Sequence, residues 1–238
     1  MKSISCAVIA AMHEELAPLK KRLQVEKEEQ VGGIHLTHAL VGEERIILAV
    51  CGIGKANAGA AIQYLITAYS PEEIINIGSA GALTNRFPIG ATVLVTESIY
   101  HDVDCTGVGE DPYTLPRVPS IIPSDTGLIT RLREAATQKG LIVAEGRIAT
   151  GDSFISDGEL RARIHEGTMA DCAEMETAAF AQIAYLNDVP FASIRSVSDR
   201  ADGSADVSFD TFLREISERN AELLESYLHT RIPSSVVL

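Results

Sequence analysis

The sequence predicts a single α/β domain, built on a mixed, mostly parallel twisted central sheet with helices packed against it. Three observations predict this. Short apolar runs rich in β-branched residues recur along the chain and read as strands buried on both faces. Segments with helical spacing separate them, the alternation expected of a parallel sheet. No repeat, low-complexity tract or linker divides residues 1–238, so one domain accounts for the chain.

The first run, SCAVIAA (5–11), is followed by a helical pattern over 14–24. GGIHLTHALVGEERIILAV (32–50) places the turn GEE between two strand-like runs and predicts an antiparallel hairpin, whose second arm continues through RIILAVC (45–51). A helical pattern covers 55–69, and the strands EIINIG (73–78) and ATVLVTES (91–98) follow. TGVGEDPYTLPRVPSIIPSD (106–125) holds four prolines and is the one long loop, a length often tied to function. Helices are expected over 125–138, 157–166 and 176–187, then the strand FASIRSVS (191–198) and a helix over 209–230. In CAEMETAAFAQIAYL (172–186), Met175, Ala178, Ala179, Ile183 and Leu186 keep helical spacing. That leaves Glu174 and Glu176 at the mouth of a buried helix, where acids complement the helix dipole.

Composition narrows the function. The 238 residues are 46% hydrophobic and 22% charged, ordinary for a folded protein, with a net charge of −13. Only KKR (20–22) is locally basic, so neither nucleic acid nor an anionic membrane is an expected partner. A small molecule or another protein is. The four cysteines are scattered without metal-binding spacing, which fits a reducing cytoplasm and neither zinc nor a disulfide framework. The start, MKSISCAVIAAMHEEL, has too short an apolar run and too early a pair of acids for a signal peptide, and no stretch is long enough to span a membrane.

Several motifs fail on inspection. CGIGKAN (51–57) resembles a phosphate loop, but Ala49 stands where the first glycine belongs and Ala56 where Ser or Thr would hold magnesium. It also misses GxGxxG at Asn57, and GSAGAL (78–83) lacks the third glycine in register. Both read as tight strand-to-helix turns. In YHDVD (100–104), adjacent His and Asp on a strand end point to opposite faces, which argues against a shared metal. Glu15, Glu176 and Asp199 are better placed, each following a strand or opening a helix. Carboxyl ends of parallel strands share one edge, where ligands bind, so three carboxylates distant in sequence would meet on one rim.

Taken in order, AAMHEE, GIGKANA, NIGSAGAL, TGDSFI, AEMET and SVSDRAD resemble the bacterial 5'-methylthioadenosine/S-adenosylhomocysteine nucleosidases, within the nucleoside phosphorylase superfamily. The resemblance runs from about residue 4 to 229. It implies a nucleoside phosphorylase-like fold and hydrolysis of the N-glycosidic bond of adenine nucleosides; no cofactor and no metal are expected, because neither a dinucleotide fingerprint nor metal-ligand spacing is present. It implies that Asp199 delivers a proton to purine N7 while Ser198 helps hold it, and that Glu15 is the base, with Ser79 and Arg195 placing the water. Glu176 would accept hydrogen bonds from the ribose hydroxyls and Met175 would pack beneath the sugar. Phe154 would stack on adenine, the Ile155 backbone would read the purine edge, and Ile53 and Phe209 would complete the substrate pocket, Phe209 near the 5' substituent. Such chemistry needs an acid because adenine leaves poorly as an anion, and a base to activate water on the opposite face of the sugar.

The sequence also departs from the family. His13 replaces the first of three glutamates that often follow Met in the family, and position 13 is expected outside the site. In the Pro-rich loop, Cys105, Val108 and Glu110 fall where apolar or aromatic groups, in part from a neighbouring subunit, usually meet the 5'-alkylthio group; Tyr113 would compensate after a shift. The resemblance therefore also implies a homodimer. Rival readings are a phosphorylase, disfavoured because Asn76 stands where bacterial phosphorylases carry an arginine, a nucleosidase for another purine nucleoside such as 5'-deoxyadenosine or futalosine, and a non-catalytic nucleoside-binding module.

Overall fold

The computed structural model describes residues 4–201 and 209–231, without the side chains of 209–211. The first half of the chain gives β1 (Cys6–Ala10), α1 (His13–Arg22), β2 (Gln24–Val31), β3 (Ile34–Val41), β4 (Glu44–Val50), α2 (Lys55–Tyr69), β5 (Ile74–Ala82) and β6 (Thr92–Tyr100). After a single 3-10 turn at Thr106–Val108 come β7 (Ile122–Pro123), α3 (Thr126–Gln138), β8 (Val143–Thr150), α4 (Gly158–Thr168), β9 (Cys172–Glu174), α5 (Thr177–Leu186), β10 (Phe191–Asp199) and α6 (Phe209–Thr230). All ten strands belong to one sheet.

The central strands are apolar on both faces because both are covered. In β1, Cys6, Val8 and Ala10 face a core shared with α1, α3 and α6, while Ala7 and Ile9 face the core of α2 and α5. β4 repeats the division, with Ile46, Leu48 and Val50 on the first side and Ile47 and Ala49 on the second. This two-sided burial produces the continuous runs read in the sequence. Ala58 and Ala61 of α2 and Ala178, Ala181 and Ala184 of α5 are all buried, and such small side chains let the two helices approach closely.

β1, β4, β5 and β10 run parallel, with β1 between β4 and β5 and β10 beside β5. The hairpin predicted over 32–50 is antiparallel as expected, β3 pairing with β4. Antiparallel pairing also brings β10 against β6, and β6 runs parallel to β8, which runs parallel to β9. β9 then closes back on the end of β5 through Gly81 and Ala82. The sheet is thus open on the β2 side and curls into a closed ring of β5, β10, β6, β8 and β9 on the other. Where β5 extends beyond the end of β1, the ring opens a cleft at the strand ends.

Candidate active site

Glu15 is the third residue of α1, and its carboxylate folds back to accept the Met12 N–H at 3.1 Å. This satisfies one of the unpaired donors at a helix start. Its other oxygen accepts the Ser79 N–H at 3.1 Å, tying α1 to the middle of β5. The residue is 3% exposed, and burial pushes its carboxyl above the ordinary value, opposed by Arg195 and by N–H groups of the turn and of Ser79.

Two acids share the start of α5 and divide the work. Glu174 accepts the N–H groups of Glu176 at 2.9 Å and Thr177 at 2.8 Å, while Thr150 Oγ1 takes the Ala178 N–H at 2.9 Å and itself donates to Glu174 Oε1. Glu174 and Thr150 therefore satisfy the helix terminus. Glu176, the N-cap residue, makes no side-chain cap bond and sends its carboxylate away to the Gly54 N–H, 2.8 Å off. Its pKa is pushed up to about 7 by burial and by the neighbouring Glu174 charge. The sequence pattern puts both acids at the helix mouth; in the structure Glu174, which the sequence did not single out for the site, satisfies the helix donors, and Glu176 does not.

Arg195 of β10 joins these groups. It is 2% exposed, with Nη2 2.5 Å from Glu174 Oε2 and 3.6 Å from Glu176 Oε2. Nε donates to Thr177 Oγ1 at 3.1 Å and Nη1 to the Ser79 carbonyl at 3.1 Å. Gly78 makes room for it, because a Cβ there would overlap the guanidinium and lie 3.1 Å from Glu15 Oε1.

Asp199 ends β10 at a register shift against β5, a bulge of the kind that re-aims side chains beside sites. Its oxygens accept the Ser198 hydroxyl and the Ala201 N–H, both at 2.7 Å. A Cβ on Gly81 would come within 2.9 Å of Asp199 Oδ1, so this glycine keeps the carboxylate in place.

One open pocket is lined by Glu15, Ser79, Glu176, Arg195, Ser198 and Asp199, with Glu174, Met175, Ile53 and Phe154. Ile53 and Phe154 stand at its mouth, 53% and 62% exposed. Ile155 is buried and lines an adjoining cavity that shares Phe154, Met175 and Asp199 with the first. The side chain of Phe209 lies outside the described residues, although its backbone opens α6.

The remaining positions lie elsewhere. His13 turns away to meet the His35 ring, 4.7 Å between centroids, in a separate cavity under α1. Cys105, Val108, Glu110 and Tyr113 do not line the acidic pocket of their own chain. The Tyr113 ring packs on Gly167 of α4 in its own chain, where a Cβ would collide with it. Asp102 of YHDVD holds Lys55, and among the described residues no group of three His, Cys, Asp or Glu could hold a metal ion.

The family model described as the phosphorylase superfamily matches residues 5–229. A 5'-methylthioadenosine/S-adenosylhomocysteine nucleosidase of Bacillus licheniformis is 35% identical over 221 residues, covering 92% of this chain and 95% of that one. The crystal structure of the Neisseria meningitidis nucleosidase of the same name, in complex with methylthio-immucillin-A, superposes with a TM-score of 0.90 at 35% identity, over 95% and 99% of the two chains. The native structure of futalosine hydrolase of Helicobacter pylori superposes at 0.91 with 27% identity, over 95% and 98%.

Proposed function

The chain belongs to the phosphorylase superfamily, and from that premise we propose that it hydrolyses the N-glycosidic bond of 5'-methylthioadenosine and S-adenosylhomocysteine, releasing adenine and the thioribose product. The observation that carries water over phosphate is the charge of the pocket. Four carboxylates line it, Glu15, Glu174, Glu176 and Asp199, against one guanidinium, Arg195, which Glu174 and Glu176 already pair with. A phosphate dianion entering there would meet net negative charge in a sheltered site, where like charges repel strongly. Asn76 supplies no positive charge either: it is fully buried, donating to the Ile9 carbonyl at 3.0 Å and accepting the Ser193 hydroxyl at 2.8 Å.

In this reading Asp199 protonates the purine at N7 as the bond stretches, and the Ser198 hydroxyl and the Ala201 N–H fix its orientation. Glu15 takes the proton of the attacking water. Burial raises its pKa, which makes it a stronger base than an exposed carboxylate. Arg195 and Ser79 hold the water beside it. Glu176 receives the ribose hydroxyls over Met175, and Phe154 and the Ile155 backbone cover adenine. The geometry supports these roles because all of these groups line one pocket and its adjoining cavity. No metal or cofactor enters the scheme.

The whole chain, 1–238, acts as one nucleosidase domain, in the cytoplasm. No helix among the described residues is long and apolar enough to cross a membrane. The 5' wall is left unfilled by Cys105, Val108 and Glu110, with Val108 77% exposed, which supports a homodimer in which a second copy completes it. Light scattering finding a fully active monomer would count against that.

The test is release of free base from methylthioadenosine, adenosylhomocysteine, 5'-deoxyadenosine, inosine and futalosine, each with and without phosphate. Adenine released from the first two, at a rate phosphate does not change, is the expected result. A strict need for phosphate, or release from futalosine alone, would overturn the assignment.

A further inference from the structure

Two motifs that mislead in the sequence meet in the fold. Lys55 occupies the position of a phosphate-loop lysine, and Asp102 belongs to the His-Asp stretch that suggests a metal ligand. The Lys55 ammonium lies 2.6 Å from both Asp102 carboxylate oxygens. Asp102 Oδ2 also accepts the Asp152 N–H at 2.8 Å, and Asp152 Oδ1 accepts the Lys55 N–H at 2.8 Å. The contacts form a closed circuit through three chain segments: the turn before α2, the end of β6 and the loop after β8.

We infer that the Lys55–Asp102 pair is a positioning latch for the nucleoside pocket, holding the Ile53–Gly54 turn and the Phe154 loop at the spacing that binds substrate. Two of its three arms end in the pocket. Gly54, next to Lys55, donates its N–H to Glu176, and Ile53 stands at the mouth. Phe154, two residues beyond Asp152, forms the facing edge of the mouth. Within the turn, Asn57 Nδ2 donates to the Ile53 carbonyl at 2.7 Å and the Gly52 N–H to the Ala11 carbonyl at 3.0 Å. Gly54, at φ 99°, carries no side-chain cap, and the ties across the mouth to the loop after β8 run through Lys55.

Helix stability does not explain the lysine. Lys55 is the first residue of α2, where a positive charge opposes the helix dipole. The pair is also sheltered, the two side chains being 22% and 25% exposed, so solvent screens it less than an ordinary surface pair. The His101 ring, packed where a Cβ of Gly151 would be, steadies the third arm.

This inference rests on the nucleosidase reading and adds the pair that organises its binding step. Without the latch, Glu176 loses the Gly54 N–H and faces Glu174 of β9, Glu15 of α1, the Cys51 thiol after β4 and Arg195 of β10. A carboxylate deprived of a donor holds its proton to higher pH. Substrate binding should suffer, while Asp199 and Glu15, which the circuit does not touch, keep their positions.

The experiment compares the full chain with Lys55→Met, Asp102→Asn and the double variant. Its readouts are KM and kcat for methylthioadenosine, the pH profile of kcat/KM, and hydrogen exchange at the amides of Gly54, Lys55 and Asp152. Each single variant should raise KM about tenfold with kcat within about threefold, and the double should be no worse than either single, as for partners in one interaction. The acid limb should move up by roughly half a pH unit and the three amides should exchange about tenfold faster. A folded Lys55→Met protein with unchanged KM and unchanged exchange would overturn the latch, as would effects that multiply in the double variant. If the wild-type chain releases no adenine, the nucleosidase reading fails, and amide exchange alone then decides the latch.

Discussion

Replacing Glu176 by glutamine should stabilise the free protein at pH 8 while damaging it as an enzyme. Glu176 is 4% exposed, and its pKa is pushed up to about 7 from an ordinary 4.5, by burial first and Glu174 second. A pKa raised by one corresponds to about 1.4 kcal/mol of differential interaction, so holding this carboxylate ionised costs about 3 kcal/mol. Glutamine keeps the shape and can still accept the Gly54 N–H, but carries no charge. Because the folded pKa is raised, wild-type stability is full below the unfolded value and falls as pH rises through about 7. The gain from Glu176→Gln should therefore be near zero at pH 4.5, grow between there and pH 7, and level off at about 2–3 kcal/mol above. For a chain of this size that is a rise in Tm of roughly 5–10 °C. Thermal unfolding of both proteins at pH 4.5, 6 and 8 measures it, and KM for methylthioadenosine on the same samples should rise at least about tenfold through loss of the ribose contacts. An equal or lower Tm for the variant at pH 8, or a gain independent of pH, would refute the electrostatic account of this pocket.

Two further outcomes test the chemistry. Asp199→Asn and Glu15→Gln should each lower kcat by roughly two to four decades while an uncleavable analogue still binds, since each removes a proton-transfer group but leaves the pocket's shape; near-native turnover in both would sink the mechanism. Gly78→Ala should cost about tenfold or more in kcat/KM, because its Cβ would displace the Arg195 guanidinium that touches Glu174 and the Ser79 carbonyl; a crystal structure of the variant with Arg195 unmoved would contradict the close-packing argument.

The central strands and the six helices are legible in the sequence because burial on two faces leaves continuous apolar runs, and amphipathic packing leaves a 3.6-residue period. The helix over 55–69 and the start of the last helix at 209 fall at the predicted residues. The strands that the pattern misses have little intrinsic signal. β2, QVEKEEQV, is charged and mostly exposed, and becomes a strand through its pairing with β3 at the sheet edge. β8, VAEGRIAT, breaks its apolar pattern with Glu145, Gly146 and Arg147. Its glycine is needed because a Cβ there would meet Asp171 Oδ2 at 2.8 Å, a contact from residues far along the chain. β9 has three residues, too few to form a pattern.

The sequence by itself determined the chemical inventory: the acids at strand exits, the glycine turns between them, the absence of a nucleotide or dinucleotide fingerprint, and the order of six short motifs. Tertiary structure alone decided how those groups divide the work. Glu174 and Glu176 are two residues apart and chemically alike, yet one satisfies helix donors and the other turns into the pocket, a distinction made by Thr150 and Gly54 from other segments. Lys55 and Asp102 belong to motifs that fail as ligand sites when read along the chain, and the fold makes them neutralise each other across 47 residues. A residue's type fixes what its side chain can donate, accept or ionise. Its partner is fixed by which strands lie side by side, and that depends on the packing of the whole chain.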